Sequence, residues 1–357
     1  MLEYFLQYGL FLAKAVTIVV AIGVVIGFLF NAFRHAREFA TEHLEVKNLN
    51  RRFENMAEVL YHELQSAPER KAHIKAKKTE YKQRAKAAKL GKAPRPRVFV
   101  LGFDGDIRAS AVENLREEIS AVVQVARPGD EVLLRLESSG GMVHTYGLAA
   151  SQLKRLRSAG IRLTAAVDEV AASGGYMMAC VADRIIAAPF AVIGSIGVVA
   201  QLPNFNRLLK QHHVDFELHT AGEYKRTLTL FGENTEAARE KFREELEDTH
   251  ALFKSFVTDN RPQLDMQQVA TGEHWYGSRA IERKLVDAIQ TSDDYLLAAS
   301  KDKDLFEVKY KRRQGLPERL AHSIRSAMNA FAGAYGQDQR LPRGLAQSVS
   351  TPPDIQV

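Results

Sequence analysis

The sequence predicts an α/β protein on a parallel sheet, carried behind an N-terminal transmembrane helix. Three observations predict it. A run with a single charge near the N-terminus is long enough to cross a bilayer. A strongly basic, helix-prone stretch follows it. Beyond Pro96, short runs rich in Val, Ile and Leu alternate with amphipathic helical runs, the pattern of parallel β–α units. With 46% apolar residues in 357, the chain can build one large or two modest cores.

The first element is the anchor, residues 1–33. From Tyr8 to Phe30 the only charge is Lys14, and its amine can reach the headgroups. Tyr4, Phe5 and Tyr8 suit the membrane interface. A cleaved signal peptide would have a shorter apolar run and a basic start. Here Glu3 precedes Lys14, and Phe28, Leu29 and Phe30 end the run. A retained span over about residues 8–30 is therefore expected. Arg34, Arg37, Lys47, Arg51 and Arg52 follow it, which by the positive-inside rule favours a cytoplasmic bulk.

Residues 34–96 read as a charged helical stalk with a basic linker. Between Glu69 and Arg97 stand twelve Lys/Arg and two acids, a local balance of +10. The whole chain carries +6, so the remainder is acidic at −4. The basic stretch can touch anionic lipid. Nucleic acid is not an expected partner, because Tyr81 is the only aromatic residue in the stretch. Pro94 and Pro96 close it.

The folded domain is expected over residues 97–312. Strands are predicted at 97–103, 131–137, 161–167 and 184–188, with another at 214–219. Helices are predicted at 110–126, 142–158, 173–182 and 235–257. The last has an apolar stripe at Phe242, Leu246, Phe253 and Phe256, suited to core or oligomer contact. A C-terminal helix is expected at 313–336, and the Gln-, Pro- and Ser-rich tail at 337–357 reads as disordered.

Chemistry is excluded before it is assigned. The single Cys180 permits no internal disulfide and no cysteine-cluster metal site. His62-Glu63 lacks the second histidine of a zinc protease motif. No metal or cofactor is implied. Two glycine turns follow predicted parallel strands: Ser138-Ser139-Gly140-Gly141 and Ala172-Ser173-Gly174-Gly175. Each turn leaves amides open, and adjacent strand ends would bring the two sets together. A serine there suits nucleophilic attack, with the amides holding a developing oxyanion. Either motif alone is more often a simple turn. The histidines, including His144, His212, His213, His219, His250 and His274, offer no obvious base. Lys225 is an alternative, with Leu228, Leu230 and Phe231 nearby to desolvate it.

Four stretches carry a resemblance: ASGGYMMACVADRI around Ser173, APFAVIGSIGVV at 188–199, AGEYKRTLTLFGENT at 221–235, and GEHWYGSRAIERKLVDAI at 272–289. Together they make residues 97 to about 300 resemble the signal peptide peptidase family of serine peptidases, of the ClpP/crotonase structural class. The one catalytic unit, the anchor and the basic insert are similar to its short membrane-bound members. One departure is Ser139, where the family usually has proline, so the turn is less constrained.

The resemblance implies a fold of repeated β-β-α or β-α units. It implies a Ser/Lys dyad with Ser173 as nucleophile and Lys225 as general base, and 52 residues separate the two. Gly174, with Gly140 or Gly141, would hold the oxyanion. Ser195 would orient the lysine, or merely stabilise a turn. The implied activity is a serine endopeptidase acting on membrane-associated peptides or unfolded proteins, as a homo-oligomeric ring. Two rival readings are a catalytically silent membrane scaffold and an acyl-thioester binder of crotonase type. The expected place is the bacterial inner membrane. There the resemblance favours a periplasmic catalytic domain, against the basic flank.

Overall fold

The computed structural model describes residues 43–89, 95–222 and 224–311, together with Lys14 and Thr17. Apart from those two residues, the span expected at 8–30 lies outside the described residues, as do the helix at 313–336 and the tail. Among the described residues no helix is long and apolar enough to cross a membrane. The chain divides into a unit of residues 44–311 and a unit of residues 1–43 with 312–357. Nearly all described residues belong to the first.

The chain begins with β1 (His43–Asn48), α1 (Leu49–Leu64) and α2 (Ala67–Lys89). Then come β2 (Arg97–Gly105), α3 (Val112–Val125), β3 (Glu131–Ser138), α4 (Val143–Ser158) and β4 (Arg162–Val167). Next are β5 (Val170–Ala172), α5 (Gly174–Ala179), β6 (Arg184–Ala187), β7 (Val192–Gly194) and α6 (Asn206–Gln211). The last group is α7 (Glu236–Asn260), α8 (Met266–Val269), β8 (His274–Tyr276), α9 (Gly277–Ala280), β9 (Ala288–Ile289), α10 (Ser292–Ala299) and β10 (Asp304–Lys311).

The main sheet runs β1-β10-β2-β3-β4-β6-β9, and the pairings from β10 to β9 are parallel. A short branch leaves it, β5 pairing with β3 and β7, and β7 with β8. The runs RVFVLGF and EVLLRLE are apolar at successive positions because both sheet faces are covered. Phe99, Leu101 and Phe103 of β2 enter the larger core under α3, α4 and α5, with Leu134 and Leu136 of β3. Their alternates Val98, Val100 and Leu133 pack on the opposite face with Leu49 of α1 and Leu296 of α10. Arg261, 3% exposed, closes one end of the larger core. It donates to both oxygens of Asp287, at 2.7 and 2.9 Å, and to the Lys284 carbonyl.

Four of the five predicted strands and all four predicted helices appear, within a few residues of their expected limits. The strand expected at 214–219 is absent. Those residues are exposed and pair with no other strand, and an extended run without a ladder partner is not a sheet element. Part of the expected helical stalk is β1 instead, which completes the sheet edge beside β10. Of the α7 stripe, Phe253 is buried and Phe256 packs against the core. Phe242 and Leu246 are half-buried.

Glu118 of α3 is 4% exposed. One carboxylate oxygen accepts the Tyr310 amide of β10 at 2.8 Å, and the other is buried without a partner. Burial pushes its pKa up to about 7, against the Tyr310 amide and the charge of Lys309, which lower it. The folded protein therefore holds a proton that the unfolded chain releases near its ordinary value of 4.5. Stability should fall as pH rises between those values. Glu118→Gln should flatten that dependence in chemical denaturation and exceed the parent at pH 8, by on the order of 2–3 kcal/mol at most. Equal pH slopes in the two proteins would contradict it.

Candidate active site

The two glycine turns meet, because Ser138 at the end of β3 pairs with Ala171 of β5. From there β3 leads through Ser139-Gly140-Gly141 into α4, and β5 leads through Ser173 into α5. Space at the junction is too small for side chains. A Cβ on Gly140, whose φ is +91°, would lie 2.7 Å from the Gly174 nitrogen and 2.8 Å from the Ser173 Cβ. One on Gly141 would lie 2.1 Å from the Ile107 carbonyl oxygen. One on Gly174 would strike the Tyr146 ring at 2.4 Å.

Ser173 sits at φ +52° and ψ −116°, a conformation that residues with a Cβ rarely adopt. It is held on both sides. Its N–H donates to the Gly194 carbonyl at 2.8 Å, and its carbonyl accepts the Met177 N–H at 2.9 Å. Its side chain is half-buried and has no hydrogen-bond partner among the described residues. A sharp strand-to-helix turn of this kind lifts a serine hydroxyl off the sheet.

The amides around it divide into used and open. Gly140 N–H donates to Ser138 Oγ at 3.1 Å. Gly141 and Gly174 N–H have no partner among the described residues. The first turn is thereby fixed by a chain that the sequence did not reveal. Gly140 N–H donates to the Ser138 hydroxyl. That hydroxyl lies 2.5 Å from Tyr146 Oη, which donates to the Asp106 carbonyl at 2.7 Å. Burial raises the Tyr146 pKa, opposed by the Ser138 hydrogen bond, so the phenol stays a neutral donor. The chain offers a restraint where proline is missing at 139. Glu137 anchors the neighbouring segment, accepting the Glu169 and Val170 amides at 3.1 and 3.0 Å.

A cleft of about 640 Å³ opens over this junction, lined among others by Gly140, Gly141, Ser173, Ser195 and His250. Ser195 is also held at φ +52°, with its N–H donating to the Glu273 carbonyl at 2.7 Å. His250 comes from α7, and its Nε2 is buried without a partner. Nothing in its local sequence separates it from the other histidines, since only the docking of α7 brings it here. A larger hollow of about 730 Å³ beside Lys154, Arg157 and Asp183 holds none of this constellation.

Lys225 does not line the cleft. It is exposed, and its backbone N–H donates to the Gly222 carbonyl at 3.3 Å. Leu228, Leu230 and Phe231, expected to shield it, instead line a separate hollow of about 280 Å³ with Leu202, Phe216 and Leu218. The Phe231 ring lies 6.0 Å from Phe205 and 5.8 Å from Phe216. The structure thus gathers Ser173, Gly174, Gly140, Gly141 and Ser195, and leaves Lys225 apart. Among the described residues no group of three or more His, Cys, Asp or Glu is placed to hold a metal.

Gly140→Ala combines a positive φ with a backbone clash. It should lower stability by about 1–3 kcal/mol and displace Ser173. Tyr146→Phe keeps the ring but removes the hydroxyl that links Ser138 to the Asp106 carbonyl, and should cost about 1 kcal/mol. Denaturant titration of both variants checks the order. Gly140→Ala as stable as the parent would mean that the two turns are not in contact.

The chain matches two family descriptions end to end: Peptidase family S49 N-terminal over residues 3–153, and Peptidase family S49 over residues 155–306. It is 51% identical over 331 residues to a probable protease SohB of Haemophilus influenzae, covering 90% of this chain and 94% of that one. A probable protease SohB of Buchnera aphidicola subsp. Schlechtendalia chinensis is 51% identical over 305 residues, covering 83% of this chain and 100% of its own. Among solved structures, a membrane protease specific for a stomatin homolog, from Pyrococcus horikoshii, aligns over 57% of this chain and 79% of its own. Its identity is 15% and its TM-score 0.31, too distant to carry a functional inference. Two adjoining matches over residues 3–306, and relatives alike over nearly their whole length, place this chain in peptidase family S49.

Proposed function

We propose that this chain is a membrane-anchored serine endopeptidase of ClpP/crotonase-like fold, with Ser173 as its nucleophile. One observation carries the reading. A serine with an unpartnered hydroxyl is held in a strained turn beside two open amides, those of Gly141 and Gly174. Ser173 Oγ attacks the scissile carbonyl, and the amides hold the oxyanion of the tetrahedral intermediate. Of the three glycines expected to donate, Gly140 acts indirectly, since its N–H is committed to Ser138. Collapse expels the amine and leaves an acyl-enzyme, which water hydrolyses.

The base in this reading is Lys225 of a neighbouring protomer. A lysine accepts a proton only in a setting that disfavours its charge, and solvent does not provide one. Lys225 is exposed in the single chain and outside the cleft. The segment around it also exposes Phe205, Leu208, Val214, Phe216 and Tyr224, apolar area suited to packing against another copy. In such a ring the lysine takes the Ser173 proton and passes it to the leaving amine. Ser195, on the cleft wall, then orients the incoming amine. The substrate class is peptide or unfolded protein near the membrane, and the proposed site is a bacterial inner membrane with a periplasmic catalytic domain.

Mixing tests the shared site. Ser173→Ala and Lys225→Ala chains should each be inactive, with Ser173→Ala also losing labelling by a serine-reactive acylating probe. Co-assembled mixtures should regain part of the activity, and Lys225→Arg should not restore it, because arginine stays charged. Mixed assemblies without recovery would exclude the cross-protomer dyad. Probe labelling and peptidase activity unchanged in Ser173→Ala would move the nucleophile to another residue, Ser195 being next in line, whereas neither labelling nor activity in the parent protein would leave the non-enzymatic scaffold as the better reading.

The anchor has its own test. Full-length protein should stay with membranes through a high-salt wash, since salt screens the basic helix but not an inserted span. Release of intact protein by salt would remove the anchor from the proposal.

A further inference from the structure

Helices α1 and α2 form a hairpin that the chemistry above does not use. Its base is fixed to the sheet domain by Asn50, whose side chain donates to the Ser300 and Lys303 carbonyls at 3.2 and 2.9 Å and accepts the Leu305 N–H at 2.7 Å. Its turn is closed by Ser66, whose N–H and hydroxyl both donate to Glu69 at 2.8 and 2.7 Å. Along its length Lys77 pairs with Glu54 and Glu58, and Arg70 meets His62 at 3.0 Å. The Tyr61 and His73 rings lie 4.6 Å apart. Arg70, His73 and Lys77 therefore define the face of α2 that meets α1.

Outside that contact face α2 carries Lys71, Lys75, Lys78, Lys82 and Lys86, all exposed, with Lys78 at the rim of the hollow between the two helices. Their spacing of four, three, four and four residues places them within about 80° of arc along about 22 Å of helix. That arc is centred roughly 140° around the helix from the face that meets α1. Glu69, an acid of this helix, is spent on Ser66. The result is a single-sign stripe on a fixed arm rather than a scattered solvated surface.

We propose that α2 is a membrane-contact element whose lysine stripe binds the anionic headgroups of the bilayer that holds the anchor. The proposal rests on the anchored reading of residues 8–30. Twelve residues lie between Phe30 and His43, thirteen steps of chain and a tether of at most about 45 Å, which keeps the arm within reach of that bilayer. Charges act on a lipid surface only within a Debye length, about 8 Å at physiological salt, so an extended stripe is the geometry such binding needs. The stretch has too few aromatic residues to stack bases, so lipid fits it better than nucleic acid.

The test uses the full chain with Thr79→Cys, an exposed position beside the stripe. The native Cys180 is buried and stays unlabelled. A fluorophore there is exposed to a water-soluble quencher in phosphatidylcholine nanodiscs and in discs containing phosphatidylglycerol. Protection should appear only with phosphatidylglycerol and disappear in high salt. Each lysine of Lys75, Lys78 and Lys82 changed to Gln should weaken the protected state about five-fold. Equal protection in the two lipids, or none in either, overturns the proposal. Protection by single-stranded RNA in neutral discs, but not by phosphatidylglycerol, reassigns the stripe and also overturns it. Failure of the anchor shows separately, as protein that does not enter neutral discs. Anionic vesicles must then still bind it in a salt-sensitive way through the same lysines, and absence of that binding overturns the stripe itself.

Discussion

The arrangement depends on the close approach of two backbone turns at the ends of β3 and β5. Gly140 against Ser173, Gly141 against Ile107 and Gly174 against Tyr146 each occupy space that a methyl group would fill. A fourth contact, Gly175 against the Ser138 carbonyl, holds the same junction. This packing keeps Ser173 at a positive φ that costs about 1–3 kcal/mol in isolation. Such strain persists only where the surroundings over-determine it. Here they do so through the β5–β7 pairing, the Gly194 carbonyl and the first turn of α5.

The parallel sheet explains why the junction sits where it does. Alternating side chains of β2, β3, β4 and β6 feed two cores, one under α3, α4 and α5 and one under α1 and α10. The larger core positions α4 and α5, so the first residues of both helices converge above the same strand ends. Tyr146 belongs to both functions. Its ring is buried in that core, and its hydroxyl fastens the glycine turn. A packing residue is thus also a positioning residue, and damage to one role reaches the other.

By contrast, the segment between β7 and α7 carries little regular structure and much exposed apolar surface. Lys225 lies in it, away from Ser173. On the proposed reading, the completed site belongs to an assembly, and the exposed apolar area of this segment is covered there. On the same reading Ser173 has no base within the single chain and acts only after assembly.

Local sequence determined much of this protein. The alternation of β and α runs and the two glycine turns were legible because strand and helix periodicity and the backbone freedom of glycine are local properties. Even the departure at Ser139 was visible. The tertiary structure alone decided what depended on partners distant in the chain. β1 became a strand because β10, more than 250 residues away, offers it an edge, while residues 214–219 found no edge and did not. His250 entered the cleft through the docking of α7, and Gly140 lost its free amide to a hydroxyl fixed by Tyr146. Five lysines could be counted in the sequence, but only the pairing of α1 with α2 showed which face of the helix they leave open. A residue's type is written at its own position; its neighbours in space are set by the packing of the whole chain.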